Sequence, residues 1–302
     1  MKKICFVLIF LSTIIILMFI NSKDVVLLTK DNLNFIFNSY IPSILPYILI
    51  LSLLCELGFL EIIGYFLQFI FTPLLNIKGS TSSLLLAGTI SGYPLPSLLV
   101  SNKEKLSKEE QQVISIFVFP SLAFLMNQIA PNLNNVYPFK RMIITFYLGA
   151  FILLFILRYK EKEKVEFVKF STLINDLKNK YNKIQISKVI KKSIINSILN
   201  LAIIVSNIII FSLISFYLAK ISHLGTFFKL GLEFSRESVK ISPEGSYLKY
   251  LKLIVILLFG GVSIFMQNCS LLADTNFSIK NYIINRILLI VVVISIDFLI
   301  FF

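Results

Sequence analysis

Histidine, cysteine and acidic residues are scarce in this chain, and each scarcity removes a class of chemistry. His223 is the single histidine, and neither a His-Glu-x-x-His helix nor a nucleophile elbow occurs. The three cysteines, Cys5, Cys55 and Cys269, are scattered in or beside apolar runs without CxxC spacing. They read as small buried thiols and indicate neither a disulfide framework nor a zinc site. No Walker Gly-x-x-x-x-Gly-Lys-Ser/Thr motif and no pair of aspartates inside one apolar run is found. The expectation is therefore a protein that is not an enzyme and that carries no metal and no cofactor.

Apolar sequence is plentiful. Of 302 residues, 57% are hydrophobic and 15% charged, and the mean hydropathy is +0.86. A soluble domain of this composition would have no polar exterior, whereas spanning a bilayer takes about 20 apolar residues per helix. Nine apolar segments are legible: 4–20, 41–57, 62–77, 83–100, 113–130, 142–157, 194–219, 251–273 and 282–302. The first follows Met1-Lys-Lys3 and ends Phe19-Ile-Asn-Ser-Lys23 without an Ala-x-Ala cleavage pattern, so it reads as a retained helix, not a signal peptide. The organisation expected is an N-terminal transmembrane helix (1–22), a first transmembrane repeat (35–157), a basic connector (158–192) and a second repeat (193–302).

The connector holds eleven Lys or Arg against four Asp or Glu and supplies much of the net charge of +13. Positive charge in short loops marks the cytoplasmic face. If Lys2 and Lys3 are inside and six segments each cross once, the connector is inside too, as is the stretch Lys103-Glu-Lys-Leu-Ser-Lys108. The first repeat then starts outside and the second inside, which makes the two inverted. A re-entrant hairpin at 83–100 would remove one crossing, and Lys220, Lys229, Arg236, Lys240 and Lys249 put positive charge in a loop placed outside. The basic residues flank apolar segments without forming a module of their own, so the expected partner is anionic lipid and not nucleic acid.

Two segments interrupt themselves at comparable places. Leu84-Leu-Leu-Ala-Gly-Thr-Ile-Ser-Gly-Tyr-Pro94 precedes a charged stretch and the helix start Ser107-Lys-Glu-Glu110; Leu257-Leu-Phe-Gly-Gly-Val-Ser263 precedes Ser278-Ile-Lys-Asn281. Paired interruptions in two halves of a membrane protein point to a solute site at the repeat interface. Around Ser91, Gly92, Tyr93 and Pro94, glycine widens the accessible backbone conformations and two prolines remove amides. The segment is either a helix kinked against its neighbours or an interrupted one whose freed groups face protein, solute or water. In the second half Gly260 and Gly261 precede Ser263 and Gln267, which share a helix face. These groups, with Asn268, Asn200 and Asn207, either line a polar path or bond between helices. Among the acids, Glu56 and Glu61 read as a solvated turn, and Asp297 sits near a terminus where fraying would hydrate it. Glu233 is either a functional acid in a loop that dips into the bilayer or an ordinary exposed one.

Taken together these elements resemble the YlbJ-type sporulation integral membrane proteins, of the nucleoside-recognition or Gate-domain membrane family. Ile41-Pro-Ser-Ile-Leu-Pro-Tyr47 is similar to the family's Pro-Ser-Leu-Leu-Pro-Phe, and Ala87-Gly-Thr-Ile-Ser-Gly-Tyr-Pro94 to its Ser-Gly-Tyr-Pro signature. Gly231-Leu-Glu233 resembles a Gly-x-x-Glu element, Phe259-Gly-Gly-Val-Ser263 with Gln267 a Phe-Gly-Gly-Leu-Ser followed by Gln, and Tyr282 with Arg286 the aromatic and Arg of the final helix. The chain departs at Leu95-Pro96, where the family has Gly and a small residue. It departs again at Val118-Phe-Pro-Ser-Leu-Ala-Phe124, which lacks the family's asparagine.

The resemblance implies an architecture related to concentrative nucleoside transporters, in the cell membrane or a forespore membrane. It also implies passage of a small anion, dipicolinate, during endospore formation. For such a solute the expected site combines amides of interrupted helices near Gly92 and Gly261 with Ser91, Ser263 and Gln267, and uses Glu233 as a gate or cation-coupling element. The competing expectation is a non-transporting membrane scaffold that recruits a partner through the basic connector. Association with further copies of the chain is compatible with either.

Overall fold

The computed structural model describes residues 2–101, 103–133, 136–161, 164–182, 185–221, 238–239, 241, 243 and 246–301, and these are all helix, turn or loop. Glu233 and its Gly-Leu-Glu neighbourhood lie outside the described residues.

Helix α1 (Lys2–Ile20) leads at Asn21 into α2 (Ser22–Glu56), the first of the long helices. A wide π turn at Ile36–Tyr40 interrupts α2 just before Pro42 and Pro46. Proline supplies no amide to the carbonyl four residues back, and the wider turn absorbs that mismatch. Antiparallel to α2 runs α9 (Ile186–Ile221), tied at both ends: Asp24 to Lys220 at 2.7 Å, Glu56 to Lys192 at 2.8 Å. A second antiparallel pair is α7 (Phe139–Tyr159) and α12 (Ile279–Phe301), where Gly149 lets Val293 approach so closely that a Cβ would stand 2.5 Å from its Cγ2.

These ties define two ends of the bundle. The basic end carries the Glu56–Lys192, Glu61–Lys180 and Lys108–Glu161 pairs, and the opposite end carries Asp24–Lys220 and Arg141–Asp297.

Between the long helices the chain is broken repeatedly. Helix α3 (Phe59–Leu75) lies across the basic end, because the connector accompanies it from end to end. Glu61 pairs with Lys180, the Gln68 side chain bonds both backbone groups of Val168, and the Asn76 carbonyl accepts from Arg158. Connector helix α8 (Phe170–Tyr181) packs against it, the Phe170 ring on Tyr65. The chain then bends by 96° into α4 (Gly79–Ser91), with the backbones touching at Gly64 and Gly79. Glu109 caps that new helix, accepting from the Lys78 amide and the Thr81 hydroxyl, as a carboxylate does at a helix N-terminus.

Helix α5 (Leu95–Val100) returns to where α4 began, since Ser80, Ser83, Leu98 and Ser101 line one cavity with Glu56 and Lys180. Residues 79–100 are thus a hairpin with its tip at 92–94.

Helix α6 (Lys108–Ile116) starts at the basic end with a capping box, Ser107 accepting from the Glu110 amide and Glu110 from that of Ser107. It runs antiparallel to α7, with Gln112 beside Arg158 and the Phe117 and Phe119 rings against Phe151 and Phe146. It breaks at 117–121 and continues as irregular helical turns over 122–132. Helix α10 (Tyr247–Phe259) descends from the opposite end, breaks at Gly260 and continues as α11 (Gly261–Leu271) to the basic end, where Asn276 exchanges two hydrogen bonds with the Leu106 backbone.

Among the described residues five helices are long and apolar enough to cross a bilayer: Ser22–Glu56, Phe139–Tyr159, Ile186–Lys220, Tyr247–Leu271 and Ile279–Phe301. The bent pair Phe59–Leu75 with Gly79–Ser91 passes the same test only jointly. Large apolar side chains such as Phe19, Ile50, Phe66 and Leu299 are exposed along the helices, as lipid contact requires. The chain is an all-α, multi-pass membrane protein.

Several expectations need correction. Against the nine expected segments, five helices pass that test among the described residues: 62–77 lies along one end, 83–100 turns back, 113–130 is broken at 117–121, and 4–20 is matched only by the shorter apolar stretch Val7–Ile20 of α1. The basic stretches at 103–108 and in the connector share one end as expected, joined by the Lys108–Glu161 pair. The connector contains α8, and α9 begins at Ile186, ahead of the boundary expected at 193. The turn expected between Glu56 and Glu61 forms at Gly58, with each acid paired to a lysine, whereas the cysteines are not buried: Cys5 is exposed, and Cys55 and Cys269 are half-buried. Asp297 is fully buried instead of frayed, because Arg141 reaches it.

Candidate functional site

Three chain breaks meet inside the bundle. At the first, Gly92 adopts φ 66° and ψ −161°, a region open in practice only to glycine. A Cβ there would stand 2.4 Å from both the Phe119 carbonyl oxygen and the Ser121 amide, so the hairpin tip is seated directly on the second break at 117–121. The Tyr93 amide donates to the Phe119 carbonyl at 2.9 Å, and a cis Tyr93–Pro94 bond completes the tip. Ser91 is buried and donates to the Ala87 carbonyl within its own helix at 2.7 Å. Gly92 terminates α4, and the short α5 that follows has a proline, Pro96, in its first turn. The helix start near Gly92 is that of α5 at Leu95, where the Tyr93 and Leu95 amides already bond the Phe119 and Gly92 carbonyls and Pro96 has no amide.

At the third break Gly260 and Gly261 both take positive φ, 78° and 69°. Gly261 begins α11, as the sequence suggested. Ser263 and Gln267 follow on one face, one turn apart, and both are completely buried. Among the described residues, neither the Ser263 hydroxyl nor either polar atom of the Gln267 amide has a hydrogen-bond partner. Buried polar groups are almost always satisfied, and leaving one unsatisfied costs about 1–3 kcal/mol, so a pair on one face of a broken helix requires an explanation.

The neighbouring Asn268 is satisfied. It accepts from Ser97 on α5 at 2.5 Å and donates to the Ile264 carbonyl and the Tyr282 hydroxyl, linking the hairpin's return arm to α11 and α12.

Arg286 joins the breaks. It is 1% exposed, and a guanidinium stays charged under all ordinary conditions. Nη1 donates to the Leu258 carbonyl in the last turn of α10 at 3.1 Å, and Nη2 to the Val118 carbonyl in the second break at 2.5 Å. Its Cζ lies 5.2 Å from the centre of the Tyr282 ring, while Nε has no partner. Among the described residues no carboxylate pairs with it. Its compensation is the negative pole of interrupted helix ends.

Tyr282 also faces outward. With Asn281, Asn285, Gln111, Lys108 and Lys160 it lines a polar vestibule of about 1030 Å³ that opens at the basic end. At this mouth the Glu161 carboxyl is held below its ordinary range, chiefly by the hydrogen bond from Lys108. Deeper in, Asn285 donates to the Ser115 hydroxyl at 2.7 Å. The described residues contain no cluster of metal-ligating side chains.

The structure thus brings Ser91, Gly92, Tyr93 and Pro94 to the hairpin tip and Gly260, Gly261, Ser263 and Gln267 to the third break. Asn268, expected either to line a polar path or to bond between helices, does the latter. Ser97 and the carbonyls of Val118 and Leu258 carry no signal in the sequence, because their roles depend on contacts about 170 residues apart or on backbone alone. Arg286 did carry one: an arginine inside an apolar run is a functional candidate by default. Compared with family models, with curated proteins and with solved structures, the chain has no match.

Proposed function

We propose that this protein moves a small anionic solute across a membrane, through a site at the convergence of the hairpin tip and the two broken helices. The observation that carries the reading is the buried, unpartnered pair Ser263 and Gln267 at the start of a glycine-broken helix, in a bundle centre whose one described charge is the cation Arg286. Half-helix ends with neutral hydrogen-bonding side chains are how membrane transporters hold solutes away from water. The vestibule lined by Lys108 and Lys160 would draw an anion toward Tyr282.

Dipicolinate is the solute that the likeness to sporulation membrane proteins implies, and a cell or forespore membrane is the site of action. On this reading the hairpin with α6 and α7 forms one repeat, and the α10–α11 break with α12 belongs to its inverted partner. The connector is fastened to the basic end at Val168, Lys180 and Tyr181, which favours a structural part in the bundle over a scaffold's recruiting arm.

Uptake of dipicolinate by liposomes containing the purified full chain tests the reading. Saturable uptake is expected, and the Gln267→Leu variant should lose roughly tenfold or more of it, the value of one to two hydrogen bonds, with unchanged thermal stability. Full uptake by Gln267→Leu would place the site elsewhere. Absence of uptake by the native protein for dipicolinate and for other small carboxylates would overturn transport itself.

A further inference from the structure

Arg286 sits where a transporter of this general build would bind a metal cation. Unwound carbonyls and the C-terminal ends of half-helices are the groups that coordinate a coupling sodium ion or proton in such proteins. Here two of those groups, the Leu258 carbonyl in the last turn of α10 and the Val118 carbonyl in the break after α6, are taken by the two terminal nitrogens of one guanidinium. The group is fully buried, and its carbonyl partners come from elements 140 residues apart in the chain, joined only through this side chain among the described hydrogen bonds.

We propose that Arg286 is a tethered replacement for a coupling cation: its charge neutralises the broken helix ends permanently, so the solute site is held assembled without bound sodium and solute passage needs no sodium gradient. The proposal rests on the transport reading for its flux consequence. Its structural half stands separately. A mobile ion leaves the site in each cycle and so couples its gradient to transport, whereas a side chain cannot leave. Arg286 is thus a positioning residue that acts through the two breaks and leaves solute contact to Ser263 and Gln267.

The test uses full-length protein in liposomes with dipicolinate as the probe. Replacing sodium by choline at constant ionic strength should leave native uptake unchanged; a large fall on removing sodium would overturn the proposal. Arg286→Gly should lower uptake at least about tenfold, as loss of one charged hydrogen bond would. Millimolar guanidinium should then restore uptake and raise the variant's thermal midpoint, while urea, which has similar shape but no charge, should do neither. Equal rescue by urea, or no stabilisation by guanidinium, would overturn it. Arg286→Lys keeps the charge and should remain sodium-independent if the glycine variant does not fold; sodium-dependent uptake by the lysine variant would count against the idea. If the native protein moves no dipicolinate, the transport reading fails by itself, and the guanidinium-specific thermal shift of Arg286→Gly still decides the role of Arg286.

Discussion

Of the three buried arginines, Arg141 and Arg286 differ most in how their charge is balanced. Arg141, at the opposite end from the connector, meets Asp297 through Nε at 2.9 Å and Nη2 at 2.7 Å. Tyr247 and Tyr250 donate to the same carboxylate, and Tyr137 and Phe301 cover the guanidinium. That pair is complete: charge, hydrogen bonds and apolar cover all come from side chains. Arg286, at the breaks, has only backbone carbonyls and one ring, and keeps an unused Nε. A closed ion pair has little left to offer a ligand, so it serves to fasten α7, α10 and α12. A cation balanced by carbonyl dipoles alone, with one N–H unused, holds backbone together instead of closing on a side chain, and the chain places it where the helices are interrupted.

The strongest way to break this contrast is to open the closed pair. Asp297→Asn strands Arg141 in a buried site and should destabilise the protein by roughly 3–5 kcal/mol, measured as denaturant or thermal unfolding in detergent. The double change Arg141→Met with Asp297→Leu should recover most of that, because buried ion pairs are often replaceable by apolar residues of similar volume. A harmless Asp297→Asn would erase the distinction between the two arginines.

Next in size is the seat of the hairpin tip. Gly92→Ala forces a Cβ into the Phe119 carbonyl and an unfavourable backbone region, and should cost about 1–3 kcal/mol together with a loss of uptake. Gly260→Ala meets only the Ile264 side chain at 3.2 Å and should cost about 1–2 kcal/mol, from its left-handed backbone alone. Equal unfolding midpoints for the two would mean that the tip is not wedged on the second break.

Smaller still is the difference between satisfied and unsatisfied polar groups. Asn268→Ala removes the bond to Ser97 and should lower stability by about 1 kcal/mol, while Ser263→Ala, which has no bond to lose, should stay within about 0.5 kcal/mol of the native protein. The smallest effect belongs to the vestibule mouth. Lys108 lowers the Glu161 pKa in the folded state, so the pair contributes above the ordinary carboxylate range and its contribution disappears as pH falls through the lowered value. The pair is solvent-exposed, and Lys108→Ala should cost well under about 1 kcal/mol at neutral pH, an effect that salt removes. A proton titration of Glu161 by NMR should show its pKa rising in that variant.

Much of this was legible in the residues. Apolar run lengths identified a multi-pass helical protein, Ser107 and Glu110 marked a helix start that forms as a capping box, and paired glycines at 92 and 260–261 located two of the three breaks, whereas the one at 117–121 lies inside a segment, 113–130, expected to cross unbroken. What composition could not distinguish was a helix that crosses from one that lies across an end: segment 62–77 is apolar enough for either, and only its contacts with the connector decide. The same limit applies to polarity. Asp297 and Arg286 both read as charges in the last apolar run, and nothing local tells that one is closed by Arg141, 156 residues away, and the other left open to two carbonyls.

Hydropathy and backbone freedom are properties of single residues and their near neighbours, so the residues alone dictated the solvent this chain folds in and two of the three places where its helices break, while overcounting the crossings, nine against the five helices long and apolar enough among the described residues. Only the tertiary structure decided which segments cross, which charges are balanced and which polar groups are left facing one another, because each of those depends on the partner that packing brings up from far along the chain.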